Sequence, residues 1–316
     1  MKVRHILAVG LVLACPQLVA REPGHYVPGV ANIRDLTTPP APGFYYLQYN
    51  AYYSTDTYKD RNGDSVSSVA AGPVNFNIDT DIDVLAITPL FFWATEMEIL
   101  GAKNSWYIAP TFAEGNVAAS ISSVNLNGSF DSNSYGLADP YVQPIMLGWK
   151  KPNYDINLGL GAYLPIGKYD VDDDDNIGMG FWTGQIQGAF YYYLNDQATA
   201  FMLAATYETH GEKDGTDITP GDHLTLEYGV SHYLSQRLEV GLYGYYQRQV
   251  DDDSGNDGAL DLDVKSKVNG FGAQFSYWAT SRLSLSFKFM KEYDAEARFE
   301  GDWIMLNLTY LPGPLF

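Results

Sequence analysis

From Leu283 to Phe289 the chain alternates without exception: Leu283, Leu285, Phe287 and Phe289 are large and apolar, while Ser284, Ser286 and Lys288 are polar. Side chains along a strand point to opposite faces, so this spacing predicts a strand that is apolar on one side and wet on the other. The pattern resumes with Ile304, Leu306, Leu308 and Tyr310 against Asn307 and Thr309. It recurs upstream: Ile156, Leu158, Leu160 and Leu164 oppose Asn157, Gly159, Gly161 and Tyr163. Likewise Leu224, Leu226, Tyr228 and Val230 oppose Thr225, Glu227, Gly229 and Ser231. Leu238, Val240, Leu242 and Tyr246 oppose Glu239, Gly241, Tyr243, Tyr245 and Gln247. Strand-like segments fall at 44–54, 81–94, 105–121, 137–150, 154–168, 178–194, 198–209, 223–235, 237–249, 267–279, 282–293 and 302–311. Ile82 to Trp93 is apolar on both faces and fits the scheme worst.

The connections alternate too. Short turns are expected near Gly101, at Lys151-Pro152-Asn153, Asn195-Asp196-Gln197, Ser235-Gln236 and Thr280-Ser281; long polar loops are expected at 55–80, 122–136, 169–177, 210–222 and 250–266. Strands of about ten residues, with short turns at one end and long loops at the other, match a transmembrane barrel. The predicted fold is therefore all-β: an up-and-down antiparallel β-barrel of about 12 strands over 44–316, in a bacterial outer membrane. A soluble sandwich alternates as well, but its core is only about 10 Å thick, and Gly and Ser at inward positions would leave it underpacked. Trp278, Tyr233 and Tyr191-Tyr192-Tyr193 lie near short turns, where an interfacial aromatic girdle is expected.

The first residues stand outside this rhythm. Lys2 and Arg4 precede an apolar run from Ile6 to Ala14, and Leu18-Val19-Ala20 makes a small-residue exit, so residues 1–20 read as a secretory signal peptide cut after Ala20. Cys15, the one cysteine, falls inside it, which leaves the mature chain without a disulfide framework. Its Val12-Leu13-Ala14-Cys15 context invites a lipoprotein reading, which Leu13 and Pro16 fit poorly. Residues 21–43, rich in Pro and Gly and without a period, read as a periplasmic lead-in or as a lumen plug; proline excludes them from a central strand. As a plug, 23 residues at up to about 3.3 Å each are long enough to thread a barrel.

Composition agrees. Among 316 residues are 25 Tyr and 30 Gly, and mean hydropathy is −0.18, the profile of a β-rich chain rather than a helical one. Without Lys2 and Arg4, 17 of the 19 basic residues remain against 38 acidic ones, a net charge of −21. That balance argues against a nucleic-acid partner. The partners expected instead are outer-membrane lipid and lipopolysaccharide, the barrel assembly machinery through the C-terminal strand, and small hydrophobic or aromatic solutes.

Several segments resemble one family: His25-Tyr26-Val27-Pro28-Gly29, Pro42-Gly43-Phe44-Tyr45, Gly136-Leu137-Ala138-Asp139-Pro140, Tyr163-Leu164-Pro165-Ile166-Gly167-Lys168-Tyr169-Asp170 and Gly180-Phe181-Trp182-Thr183. In these the chain is similar to the MetA-pathway of phenol degradation family of outer-membrane proteins, most strongly over 25–195. The resemblance implies a barrel associated with aromatic catabolism and, through it, uptake.

By parity Glu208, Glu227, Glu239 and Lys288 point into the lumen, since charge is costly on the lipid face. Lys288 would either join the carboxylates in a structural ion-pair network or line a permeation path. Tyr163, Tyr243 and Tyr245 share the inward face and offer amphipathic contact to an aromatic solute, or fill space. These seven are the pore-lining candidates. No cofactor is expected. The run Asp172, Asp173, Asp174, Asp175 has oxygen ligands for Ca²⁺ but not the spacing of a dedicated loop, so it is a weak metal candidate beside a solvated exterior loop. His210 and His223 flank one loop and could meet, but no local hydrolase pattern surrounds them. A channel for passive uptake of small hydrophobic or aromatic compounds is thus the leading function. The alternatives are a closed structural or surface-interaction barrel and, behind it, a lipid hydrolase.

Overall fold

The computed structural model describes residues 23–71, 74–123, 127–173, 175–255 and 262–311. Residues 1–20, expected as a signal peptide, and Asp174 and Phe316 lie outside them. Among the described residues seventeen strands run in chain order: β1 (Gly43–Lys59), β2 (Ser68–Ala71), β3 (Val74–Ile99), β4 (Ala102–Ala109), β5 (Phe112–Ser122), β6 (Asn127–Leu137), β7 (Tyr141–Lys150), β8 (Tyr154–Tyr163) and β9 (Thr183–Leu194); then β10 (Thr199–His210), β11 (Ile218–Thr219), β12 (His223–Tyr233), β13 (Leu238–Gln249), β14 (Ser254–Gly255), β15 (Lys267–Trp278), β16 (Leu283–Glu296) and β17 (Arg298–Tyr310). No helix occurs among the described residues.

β1 pairs antiparallel with β17 on one side and with β3 on the other, which closes the sheet on itself. The ring runs β1, β3, β4, β7, β8, β9, β10, β12, β13, β15, β16, β17: twelve antiparallel staves, with no free edge around the ring. Alternation is what makes this closure stable in lipid. Phe287, Phe289, Phe201, Leu203, Leu242 and Phe275 are among the many large apolar side chains left exposed, while their strand neighbours are buried inside. So much exposed apolar surface is untenable in water and is the expected exterior of a membrane barrel.

Three departures from the expected pattern have local causes. The segments 105–121 and 137–150 are each interrupted. The first breaks between β4 and β5 at Pro110, the second by Ala138-Asp139-Pro140 just before β7, because proline cannot donate to a ladder. Pro89 and Pro144 sit beside further gaps or register shifts in the same wall. Much of 55–80 and 122–136, expected as loop, is strand. β1 continues to Lys59, β3 begins at Val74, and β6 pairs with β5 along its length. At about 3.3 Å per residue, the 26 residues of β3 far exceed a hydrocarbon core of about 30 Å, so its outer end projects with β2, β5 and β6. The girdle also differs. Tyr191 and Tyr193 are buried inward, Tyr233 and Trp278 turn toward the mouth, and of the aromatics proposed for it only Tyr192 faces out. The outward ring at the short-turn end is Phe44, Trp93, Trp106, Tyr154, Tyr192, Tyr277 and Tyr310. Within it Phe44 pairs with Trp93, Trp93 with Trp106, and Tyr154 with Tyr192.

The two-faced apolarity of Ile82 to Trp93 is explained by the lumen. Leu90 and Phe92 of β3 point inward and pack with Tyr45, Tyr49, Tyr141 and Met146, so one sector of the inner wall is itself aromatic.

Candidate functional site

The lumen contains the N-terminal segment. Residues 23–42 run as an irregular strap from the long-loop end, where His25 meets Thr183 and Asp139, to the short-turn end, where Arg34 meets Gln197 and Ala198. Having no strand partner, the strap satisfies its polar groups with inward side chains of the wall. Tyr26 N–H donates to Glu208 Oε1 (2.8 Å) and Tyr26 Oη–H to Glu227 Oε2 (2.6 Å). Gly29 N–H donates to Glu227 Oε1 (2.8 Å), and the Ile33 N–H to Gln274 Oε1 (2.9 Å). Thr38 N–H donates to Asn157 Oδ1 (3.0 Å), and Asn307 Nδ2 donates to Val30 O (3.1 Å). Lys288 Nζ donates to Gly29 O (2.8 Å) and to Ala31 O, 4.3 Å above the Tyr243 ring.

Inward glycines make room for this passage. A Cβ on Gly241 would meet Ile33 Cδ1 at 2.4 Å, and one on Gly148 would meet Thr38 Oγ1 at 2.1 Å. The small inward residues that suggested a watery lumen therefore seat the strap.

All seven pore-lining candidates face inward. Glu208, Glu227, Glu239 and Lys288 bond the strap directly, and Tyr163 stacks on His25 at 4.7 Å. Tyr243 shares Glu227 with the strap. Tyr245 donates instead to a wall carboxylate, Glu292 Oε1, at 2.8 Å. Lys288 is hydrogen-bonded to backbone carbonyls of the strap, where a network with wall carboxylates had been one expectation. Parity also marks Asp155 and Glu292 as lumen-facing, two residues from Asn157 and four from Lys288. Both are buried inward, Asp155 accepting from Thr37 Oγ1 (3.2 Å) and Tyr193 Oη (2.9 Å). Of the acidic run, Asp172 and Asp173 are exposed and Asp175 pairs with Lys168. No cluster of three or more metal-ligating side chains occurs among the described residues.

At the long-loop end the histidines do meet, His223 buried and His210 partly so. His223 is 1% exposed, and its Nδ1 lies 3.1 Å from His210 Nε2. His210 Nδ1 lies 2.7 Å from Thr183 Oγ1, which lies 2.7 Å from His25 Nδ1, whose Nε2 lies 3.1 Å from Asp139 Oδ2. Asp139 also accepts the N–H groups of Gly167 (2.9 Å) and Met179 (2.7 Å). Burial works against its charge, but His25 and these two N–H groups outweigh that and hold its pKa below the usual carboxylate value. The motif segments around His25, Asp139, Tyr163, Gly167 and Thr183, far apart in sequence, thus meet in one cluster that pins the strap.

A closed twelve-stranded ring with an apolar exterior and a strapped polar interior defines a bacterial outer-membrane β-barrel protein. The chain belongs to the MetA-pathway of phenol degradation family, whose model matches residues 55–308. Its fold is similar to that of the COG4313 outer membrane channel from Pseudomonas putida F1, with a TM-score of 0.63 at 13% identity over 89% of this chain and 99% of that one. A FadL homologue from Pseudomonas aeruginosa aligns with a TM-score of 0.40 at 11% identity, over 84% of this chain and 90% of that one. No curated protein matches by sequence.

Proposed function

We propose that the protein is an outer-membrane channel for the passive uptake of small hydrophobic or aromatic compounds, closed at rest by its N-terminal strap. One observation carries this reading. Wall ions Glu208, Glu227, Glu239 and Lys288 take their hydrogen bonds largely from the strap. Such bonds can be exchanged for water when the strap leaves, because a hydrogen bond to a charged group contributes only about 1.5–3 kcal/mol net over its replacement by water. A hydrophobic core would offer no such exchange. The aromatic sector around Phe92, Tyr107 and Tyr141 supports an aromatic solute, as does the family description. On this reading the protein acts without catalysis, as the lack of a local hydrolase pattern around His210 and His223 supports. Lipid and lipopolysaccharide surround the wall, and β17, which completes the ring against β1, is the strand the assembly machinery would engage.

The extent of the strap's contacts favours a second reading, a permanently closed barrel that works through its outer loops. Single-channel recording in planar bilayers separates the two. Deleting residues 21–42 should produce discrete current steps, well above those of the wild type, that phenol or a long-chain alcohol reduces. Equal and negligible current from a deletion variant that still folds, judged by heat-modifiable gel mobility, would sink the channel.

A further inference from the structure

The strap's Arg34 occupies a pocket that is complete without it. Its Nε donates to Glu239 Oε1 (2.6 Å) and Ser231 Oγ (3.0 Å), Nη1 to Gln197 O (2.9 Å) and Nη2 to Ala198 O (3.0 Å). The guanidinium carbon lies 4.8 Å from the Tyr233 ring and 6.0 Å from that of Tyr193. Every acceptor and both rings belong to the barrel wall or its β9–β10 turn. That turn holds three consecutive non-glycine residues with positive φ, Asn195, Asp196 and Gln197 (53°, 53° and 67°). Positive φ is costly for such residues and persists only where the surroundings impose it.

A planar cation with several N–H donors is the group such a site selects: a carboxylate, two carbonyls and a hydroxyl take its hydrogen bonds while aromatic faces attract its charge. We propose that this pocket, at the short-turn mouth of the lumen, is a subsite for a solute bearing a guanidinium or primary ammonium group. Arg34 is its placeholder in the closed state. The proposal rests on the strap being removable, since the site is free only when Arg34 leaves it. A tethered arginine competes at an effective concentration in the millimolar range or above. The site is therefore filled at rest, and a returning strap displaces a bound solute.

Isothermal titration calorimetry of the mature protein in detergent, with guanidinium chloride at up to about 10 mM, tests this without needing current. Arg34→Ala should bind one guanidinium per barrel, and wild type should bind at least tenfold more weakly. Adding Glu239→Gln to Arg34→Ala should weaken binding at least tenfold, and tetramethylammonium, which has no N–H, should not bind. Arg34→Gln serves as a second vacated variant should Arg34→Ala not fold. Equal binding by wild type and a folded vacated variant, or binding indifferent to Glu239→Gln, overturns the subsite. A non-conducting strap deletion with normal guanidinium binding to Arg34→Ala would instead count against the channel reading and leave the pocket's chemistry standing.

Discussion

Glu227 is the carboxylate that most directly holds the strap, and Glu227→Gln is the substitution that weighs it. One oxygen accepts the Tyr26 hydroxyl and the other the Gly29 N–H, with Tyr243 Oη also donating to the second. Glutamine keeps the shape and one acceptor. It loses the charge on both strap bonds, and its amide faces the Tyr26 hydroxyl. A hydrogen bond to a charged group contributes about 1.5–3 kcal/mol and a neutral one about 0.5–1.5, so two such conversions weaken docking by about 2 kcal/mol. At 1.4 kcal/mol per decade, the undocked fraction rises roughly 30-fold. Cys15 is the one cysteine of the sequence; in a chain beginning at Arg21, a Val27→Cys reporter reads that fraction as its rate of labelling by a charged thiol reagent. Glu227→Gln should speed labelling by about that factor, and Tyr26→Phe, which removes one of the two bonds, by less. A labelling rate that changes less than threefold, in a barrel with normal heat-modifiable mobility, would refute the idea that these bonds hold the strap.

Other expectations follow from the same wall. Without the strap, Asp155, Glu208, Glu227, Glu239 and Glu292 face the lumen against Lys150, Lys288 and Arg298. The deletion variant should be cation-selective in a salt gradient, and converting two of the glutamates to glutamine should shrink the reversal potential; anion selectivity would contradict the placement. Asp139 has a lowered pKa in the folded state. Its contribution to pinning His25 is therefore present at neutral pH and lost as pH falls below about 4. The Val27→Cys labelling rate, taken relative to that of a free thiol at the same pH because only the thiolate reacts, should rise across that acid window, and Asp139→Asn should raise it at neutral pH and remove that part of the dependence. On the lipid face, Phe287→Arg should destabilise folding into vesicles by about 2–4 kcal/mol if it lies near the midplane, measured by urea titration of Trp fluorescence.

Much of this architecture was legible in the sequence because its information is local. A strand's period of two needs only neighbours to be read, and it placed Glu208, Glu227, Glu239, Tyr243 and Lys288 on the inner face before any partner was known. Turn and loop lengths, likewise local, gave the up-and-down order and the number of staves. Period fails where proline interrupts a stave or where the lumen itself is apolar, as along β3. It also says nothing of which side of a mouth an aromatic such as Tyr233 will take. The strap shows the limit most clearly. It has no repeat, because it bonds to side chains rather than to a ladder, and its partners across the lumen, from Asp139 for His25 to Asn307 for Val30, lie 114 to 277 residues away. Only closure of the ring brings Gly29 to Glu227, Arg34 to Glu239 and three scattered histidines into one line. Those contacts depend on the curvature of twelve strands together, which no short stretch of residues encodes.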